Sequence, residues 1–138
     1  MKRLKVYIAG PISKGDMLHN VRQADAAFLA LLKAGLAPWC PHWSVFCGGA
    51  FRFRDEGPDG RYMAVGAVAD AHPAGTTHED WMGVDLPWVE CSDAVLRLPG
   101  MSVGADEEVR HANAHGIPVF STVDQVIAWA QQRKAART

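Results

Sequence analysis

Apolar residues recur along the chain in two rhythms, and the alternation between them predicts the architecture. Residues 4–9 form a β-branched and aromatic run that stops at Gly10-Pro11, which predicts a buried first strand followed by a turn. Over residues 20–34, Val21, Ala24, Phe28, Leu31 and Leu32 fall at helical spacing, and Gly35 is placed to end that helix. Residues 36–39 predict a short second strand, interrupted by prolines at 38 and 41. Residues 43–79 hold six glycines and no regular period, so they predict a loop-rich insertion after the second strand, expected to be a lid, a binding loop or a mobile segment. Order returns at Asp80: Trp81, Val84, Trp88 and Val89 can share one helix face, with Pro87 delaying or breaking that helix. Residues 94–98 predict a third strand closed by Pro99-Gly100, and residues 104–115 a helix with an acidic first turn (Asp106, Glu107, Glu108) that Gly116 ends. A fourth strand follows at residues 117–120. Thr122 then caps a last helix with Val123, Val126, Ile127 and Ala130 as its buried stripe and Arg133, Lys134 and Arg137 at its C-terminal end. Strands alternating with helices imply an α/β protein with a parallel sheet and right-handed crossovers. Ligands of such sheets sit outside the carboxyl ends of the strands, so the loop at residues 10–16, the segment after Trp39 and the loop at residues 99–104 are the places to look for chemistry.

Composition narrows the classes. A chain of 138 residues, 49% hydrophobic and 21% charged, fits one globular domain spanning residues 1–138. The net charge of -1 leaves no broad basic face, so a nucleic-acid polymer is not an expected partner, although two or three local donors can hold one phosphate. Cys40, Cys47 and Cys91 are odd in number and scattered, which argues against a disulfide framework and fits a reducing compartment. The basic start Met1-Lys2-Arg3 precedes an apolar run too short for a signal peptide and interrupted by Lys5. No stretch approaches the roughly 20 apolar residues of a membrane span. A cytoplasmic protein without a membrane partner is expected.

The segment from Val84 to Glu108 places a strand, a small-residue loop and an acidic helix start in succession. N–H groups at a helix N-terminus attract anions and help keep a carboxylate ionised, and an ionised carboxylate at a cleft is what attack on a sugar carbon requires. Acidic residues in a first turn can equally do no more than stabilise the helix. By itself, Tyr7 is also compatible with a core position, and Asp85 with a helix cap beside Pro87. Asp93 reads as shaping the loop before the third strand. Cys40, His42, Cys47, His72 and His78 are soft ligands whose spacing fits no standard zinc pattern, so no metal is expected. Among the five tryptophans, Trp39, Trp88 and Trp129 fit core stripes, while Trp43 and Trp81 border the insertion, where either could stack on a base.

Tyr7-Ile8-Ala9-Gly10-Pro11, Asp85-Leu86, Ser92-Asp93 and Ser102-x-Gly104-x-x-x-Glu108-x-x-x-Ala112 resemble the nucleoside 2-deoxyribosyltransferase family and its nucleotide N-hydrolase relatives, over most of the chain outside residues 43–79. The resemblance implies a flavodoxin-like (Rossmann-like) doubly wound parallel sheet with a long insertion after the second strand. It implies an enzyme of nucleotide metabolism or salvage that cleaves the N-glycosidic bond of a (deoxy)nucleoside or its 5'-monophosphate, with transfer to another base or to water. Glu108 would be the nucleophile of a covalent glycosyl-enzyme ester; Glu107 competes, but Glu108 has the family spacing to Gly104 and Ala112. Tyr7 would orient that carboxylate, and Asp85 would meet a sugar hydroxyl or protonate the departing base. Gly10, Ser13, Ser102 and Gly104 would contact the substrate. No metal or organic cofactor is implied, and a neighbouring subunit completes each site in the family, so a homo-oligomer is expected. Pro11 and Ser13 stand where the phosphate-cleaving relatives carry a serine and an arginine, whereas Ser102 matches them. Ser13, Lys14 and Gly15 offer an alternative phosphate cradle, and Arg52, Arg54 and Arg61 either reach a phosphate or form a solvated loop. A non-catalytic nucleotide-binding module is the alternative function.

Overall fold

The computed structural model describes residues 2–44, 51–55, 62–67 and 75–137. Its centre is β1 (Lys5–Ala9), buried at every position after the first. Both neighbours, β2 (Ala37–Trp39) and β5 (Ala94–Arg97), pair with it in parallel, and helices cover both its faces, so residues 6–9 form an unbroken hydrophobic run. β6 (Val119–Phe120) adds to β5, also in parallel, and the sheet order is β2-β1-β5-β6.

Side chains of a strand alternate between faces, and each face receives two helices. Leu4, Val6, Ile8 and Leu96 pack with Ala24, Ala27 and Leu31 of α1 (Met17–Lys33) and with Val126 and Ala130 of α4 (Val123–Ala136). Tyr7, Ala9 and Val95 pack with Val89 of α2 (His78–Glu90) and with Ala105 and Ala112 of α3 (Val103–Ala114). This is the doubly wound, flavodoxin-like arrangement that the resemblance implied, built on the parallel sheet that the alternating pattern predicted. From β1 the chain runs outward to β2 and later returns to the opposite side of β1 as β5, so the strand order reverses between β1 and β5. A crevice opens at such a reversal.

Four features differ from the sequence expectations. α1 starts at Met17 because the Asp16 carboxylate caps it, accepting from the His19 N–H at 3.2 Å. α2 starts at His78 and runs through Pro87; Thr77 and Asp80 form a capping box that begins it early. Pro87 and Gly83 are both exposed, so the carbonyl that loses its partner faces water. The buried face of α2 is Met82, Asp85 and Val89, while Val84 and Trp88 are each 50% exposed. Apolar spacing picked the neighbouring stripe because a buried carboxylic acid occupies the true one.

The fourth difference lies in the insertion. Two strands cross it, β3 (Phe51–Asp55) and β4 (Tyr62–Ala67), paired antiparallel with an irregularity between Arg52 and Phe53. The alternation Phe51-Arg52-Phe53-Arg54 is a strand rhythm that the surrounding glycines obscure. Residues 45–50, 56–61 and 68–74 lie outside the described residues, and with them the lid expectation, Cys47, Arg61 and His72. No helix among the described residues is long and apolar enough to cross a membrane.

Candidate active site

The carboxyl ends of β1 and β5 approach closely, and Gly10 is the reason they can. A Cβ at Gly10 would sit 2.9 Å from Leu98 Cβ, beside the Leu98 N–H bond to the Ala9 carbonyl. Neither atom belongs to a flexible side-chain end. Gly10→Ala is therefore expected to lower stability by roughly 1–3 kcal/mol through overpacking, read as a fall in Tm by calorimetry. An unchanged Tm would mean the strand ends can part freely.

The loop after Gly10 is held from three sides. Asn20 Nδ2 donates to the Ile12 carbonyl at 3.0 Å and to the Lys14 carbonyl at 2.8 Å. Gly100, at φ +111°, leaves room for Pro11, whose Cγ would be 2.9 Å from any Cβ there. His42, fully buried, donates from Nε2 to the Pro11 carbonyl at 3.0 Å. Its Nδ1 then carries only a lone pair, and burial, partly opposed by that hydrogen bond, lowers its pKa to about 4 and keeps the ring neutral. Burial likewise pushes the nearby Cys40 thiol up to about 11. His42 thus ties the first loop to the turn after β2.

The second loop is fastened by Arg97, which the sequence reading passed over. Its guanidinium donates to the Leu98 carbonyl, to the Gly100 carbonyl at 2.9 Å and to Asp106 Oδ1 at 3.0 Å, joining the end of β5 to the first turn of α3. The available signal was an arginine ending an apolar strand. Ser102 caps α3, its Oγ accepting from the Ala105 N–H at 3.1 Å.

These loops and the first turns of α2 and α3 enclose a cleft of about 380 Å³, within the usual size range of a small-molecule site. Gly10, Ser13, Ser102, Gly104, Asp85 and Glu108 all line it. Tyr7 does not; it lies fully buried beneath, and its hydroxyl donates to Glu108 Oε1 at 2.9 Å. Lys14 also faces the cleft, whereas Gly15 does not. Ile12, Met17, Met82 and Val103 add apolar lining that the sequence reading missed, and His78 and Trp81 stand at the start of α2. Of the two tryptophans considered for stacking, Trp81 reaches the cleft, with its indole N–H on Thr76 Oγ1 at 3.1 Å. Trp43 packs instead on Phe28 and Trp39, at 4.7 and 5.9 Å between ring centroids. Trp39 and Trp88 stack on each other at 5.3 Å but are 38% and 50% exposed, because they sit on the edge strand and on the outer face of α2. Trp129 packs on Phe120 against the core as expected. Asp93 accepts from the Lys5 N–H at 2.8 Å at the other end of the sheet, where it does shape the loop before β5.

Glu108 is 3% exposed and Asp85 7%, and the two carboxyls hydrogen-bond each other. Two carboxylates so placed cannot both ionise. Burial, followed by the Asp85 charge, pushes Glu108 up to about 8, with the Tyr7 hydroxyl and Arg97 opposing. Burial raises Asp85 to about 6, with the bond from Glu108 and the proximity of His78 opposing. Burial and then the Glu108 charge push the Tyr7 phenol far upward, so it remains a donor. The helix N-terminus does not keep Glu108 ionised, contrary to the sequence expectation. Glu108 lies on the second turn of α3, beyond the reach of the terminal N–H groups, and inside the protein. Glu107, the competing residue, points away to His78 Nε2 at 3.4 Å. Near neutral pH the pair holds one proton between two carboxyls.

No family model matches the chain, and no curated protein is significantly similar to it. Among solved structures it is similar to a 2-deoxyribosyltransferase from Bacillus psychrosaccharolyticus, with a TM-score of 0.53 and 15% identity over 83% of this chain and 69% of that one. The two share a fold. At that identity the likeness concerns the backbone alone, and any activity has to be argued from the site.

Proposed function

We propose that this protein cleaves the N-glycosidic bond of a nucleoside or nucleoside 5'-monophosphate, with Glu108 attacking the anomeric carbon. The reading rests chiefly on one observation: a buried carboxyl pair, Glu108 and Asp85, opens onto the cleft while Tyr7 holds Glu108 from below. The shared fold with a 2-deoxyribosyltransferase supports it, as does the motif from Ser102 to Ala112.

One shared proton suffices for the reaction. As Glu108 attacks, its proton passes to Asp85, and Asp85 delivers it to the base whose C–N bond breaks. The sugar passes through an oxocarbenium-like state and is captured as a Glu108 ester with the Tyr7 bond to Oε1 in place. Water, or the N–H of a second base, then attacks the same carbon and returns its proton to Asp85, which restores the pair. Two displacements retain the configuration at the anomeric carbon. Trp81, beside the carboxyls, offers a stacking face for the base, and Ser13 and Lys14 offer donors for a 5'-hydroxyl or phosphate. A second copy of the chain is part of the proposal; the exposed ladder of Trp43, Trp39 and Trp88 is the apolar surface that supports it.

Chromatography of the purified protein with deoxy and ribo nucleosides and their 5'-monophosphates, with and without a free acceptor base, tests the reading. Base released without an acceptor identifies a hydrolase, and new nucleoside formed only with an acceptor identifies a transferase. Binding with no turnover of any substrate would replace the reading with a non-catalytic nucleotide-binding module.

A further inference from the structure

α2 and α3 run side by side in the same direction, with their starts joined at His78 and Glu107 and their ends at Glu90 and His111. At those ends lies a cluster of side chains that do not line the cleft. His111 Nε2 is 2.7 Å and His115 Nε2 3.6 Å from the same oxygen, Glu90 Oε1, and the two imidazoles are 4.4 Å apart. One donor atom from each of the three side chains falls within 4.8 Å of the others. We propose that Glu90, His111 and His115 bind a divalent transition metal ion, for which zinc is the reference, and that the ion clamps the C-terminal ends of α2 and α3 together.

Three physical features support this. Donors each ~2.1 Å from a tetrahedral zinc lie ~3.4 Å apart, and the observed 2.7 and 3.6 Å separations bracket that value. Small side-chain rotations therefore close the set. His115 Nδ1 lies 2.8 Å from the His111 carbonyl, which can only accept. The proton must sit on Nδ1, so the neutral ring directs the Nε2 lone pair at the cluster, the same backbone support that metal-bound histidines commonly have. Finally, α2 ends at Glu90 and α3 at Ala114, so two helix C-termini direct their partial negative charge toward this spot and favour a cation. Two imidazoles and a carboxylate suit zinc and its first-row neighbours and leave a fourth position for water.

The sequence reading overlooked His111-x-x-x-His115 because Glu90 arrives from another helix. The clamp is independent of the proposed N-glycosidic chemistry. It would hold α2 and α3 together at their C-terminal ends, beyond Asp85 and Glu108.

Tag-free protein, stripped of metal and dialysed, is titrated with zinc chloride by calorimetry and melted with and without zinc. One ion per chain is expected, with Tm raised by about 5–10 °C at ~100 times Kd. His111→Gln and His115→Gln are each expected to weaken binding by at least ~10-fold and to remove most of the Tm rise. Both side chains are partly exposed, 24% and 45%, so the fold should tolerate these changes, and circular dichroism checks it. Glu90→Gln provides a third removal from the other helix. Cobalt(II) should give the visible bands of a four-coordinate site. The proposal is overturned if the protein binds no zinc, or if the double histidine variant binds as tightly as the parent. Loss of binding in Cys91→Ser, with the exposed thiol beside Glu90 removed, would also overturn it.

Discussion

Glu108→Gln is expected to abolish turnover, by at least ~10³-fold, and at the same time to raise the melting temperature at pH 8. Glutamine cannot form the ester, yet it keeps the volume of glutamate, accepts from the Tyr7 hydroxyl and donates to Asp85. The stability effect follows from proton linkage. Glu108 binds its proton at about 8 in the folded protein, against about 4.3 in an unfolded chain. Between those values the folded state keeps a proton that the unfolded state has lost. Stability is therefore fully present below about pH 4.3, falls as pH rises and levels off above about pH 8. Asp85, raised to about 6, adds a decline of the same sign over a lower window. At about 1.4 kcal/mol for each pH unit, the total is on the order of a few kcal/mol, or ~10 °C in Tm. Melting curves from pH 5 to 8.5 measure it: the wild type should lose Tm across the range and the variant far less. A flat wild-type profile would show that the carboxyls are not buried together. Retained turnover in the variant would remove Glu108 as the nucleophile.

Asp85→Asn should cost ~10²–10⁴-fold in the rate of base release, the usual worth of a positioned acid, and should change the shape of the pH profile. The wild-type pair is active with one proton and inactive with two or none. Its rate should be bell-shaped, with limbs near about 6 and about 8 that belong to the pair as a whole. Removing Asp85 removes a negative neighbour that raises Glu108, so Glu108 ionises at lower pH and the alkaline limb disappears. A riboside whose leaving group needs no proton, such as a nitrophenolate, should lose far less activity than a natural nucleoside. An unchanged bell in the variant, or an equal loss with both substrates, would exclude Asp85 as the proton carrier.

The two carboxyls and the tyrosine account for both expectations, and they differ in how they could be read from the chain. Only Glu108 had a signal of its own, the acidic start of a helix after a small-residue loop, and the resemblance to a family motif was needed to choose it over Glu107 and to give Tyr7 a role beyond the core. Asp85 was legible only through its resemblance to a family motif. Hydrophobic spacing pointed to the Trp81, Val84, Trp88 and Val89 face of α2; of these the structure buries only Val89, beside Met82 and Asp85. A polar residue on a buried face breaks the pattern by which buried faces are recognised, and functional sites are where such breaks occur.

What the sequence determined by itself was everything governed by near neighbours. Strand and helix periods, the cap at Thr122 and the stop at Gly35 act over a few residues, and together they dictated four parallel strands with helices between them. The hairpin of β3 and β4 was the exception, its alternation hidden among glycines. What only the tertiary structure decided depends on groups brought together from distant parts of the chain. Tyr7 and Glu108 are 101 positions apart and meet at 2.9 Å, Asp85 joins them from a third element, and Glu90 meets His111 across two helices. The protonation of the buried pair belongs to this class as well. A local helix terminus argued for an ionised Glu108, but burial and a second carboxyl argue the opposite, and both arise from packing that no local stretch of sequence contains.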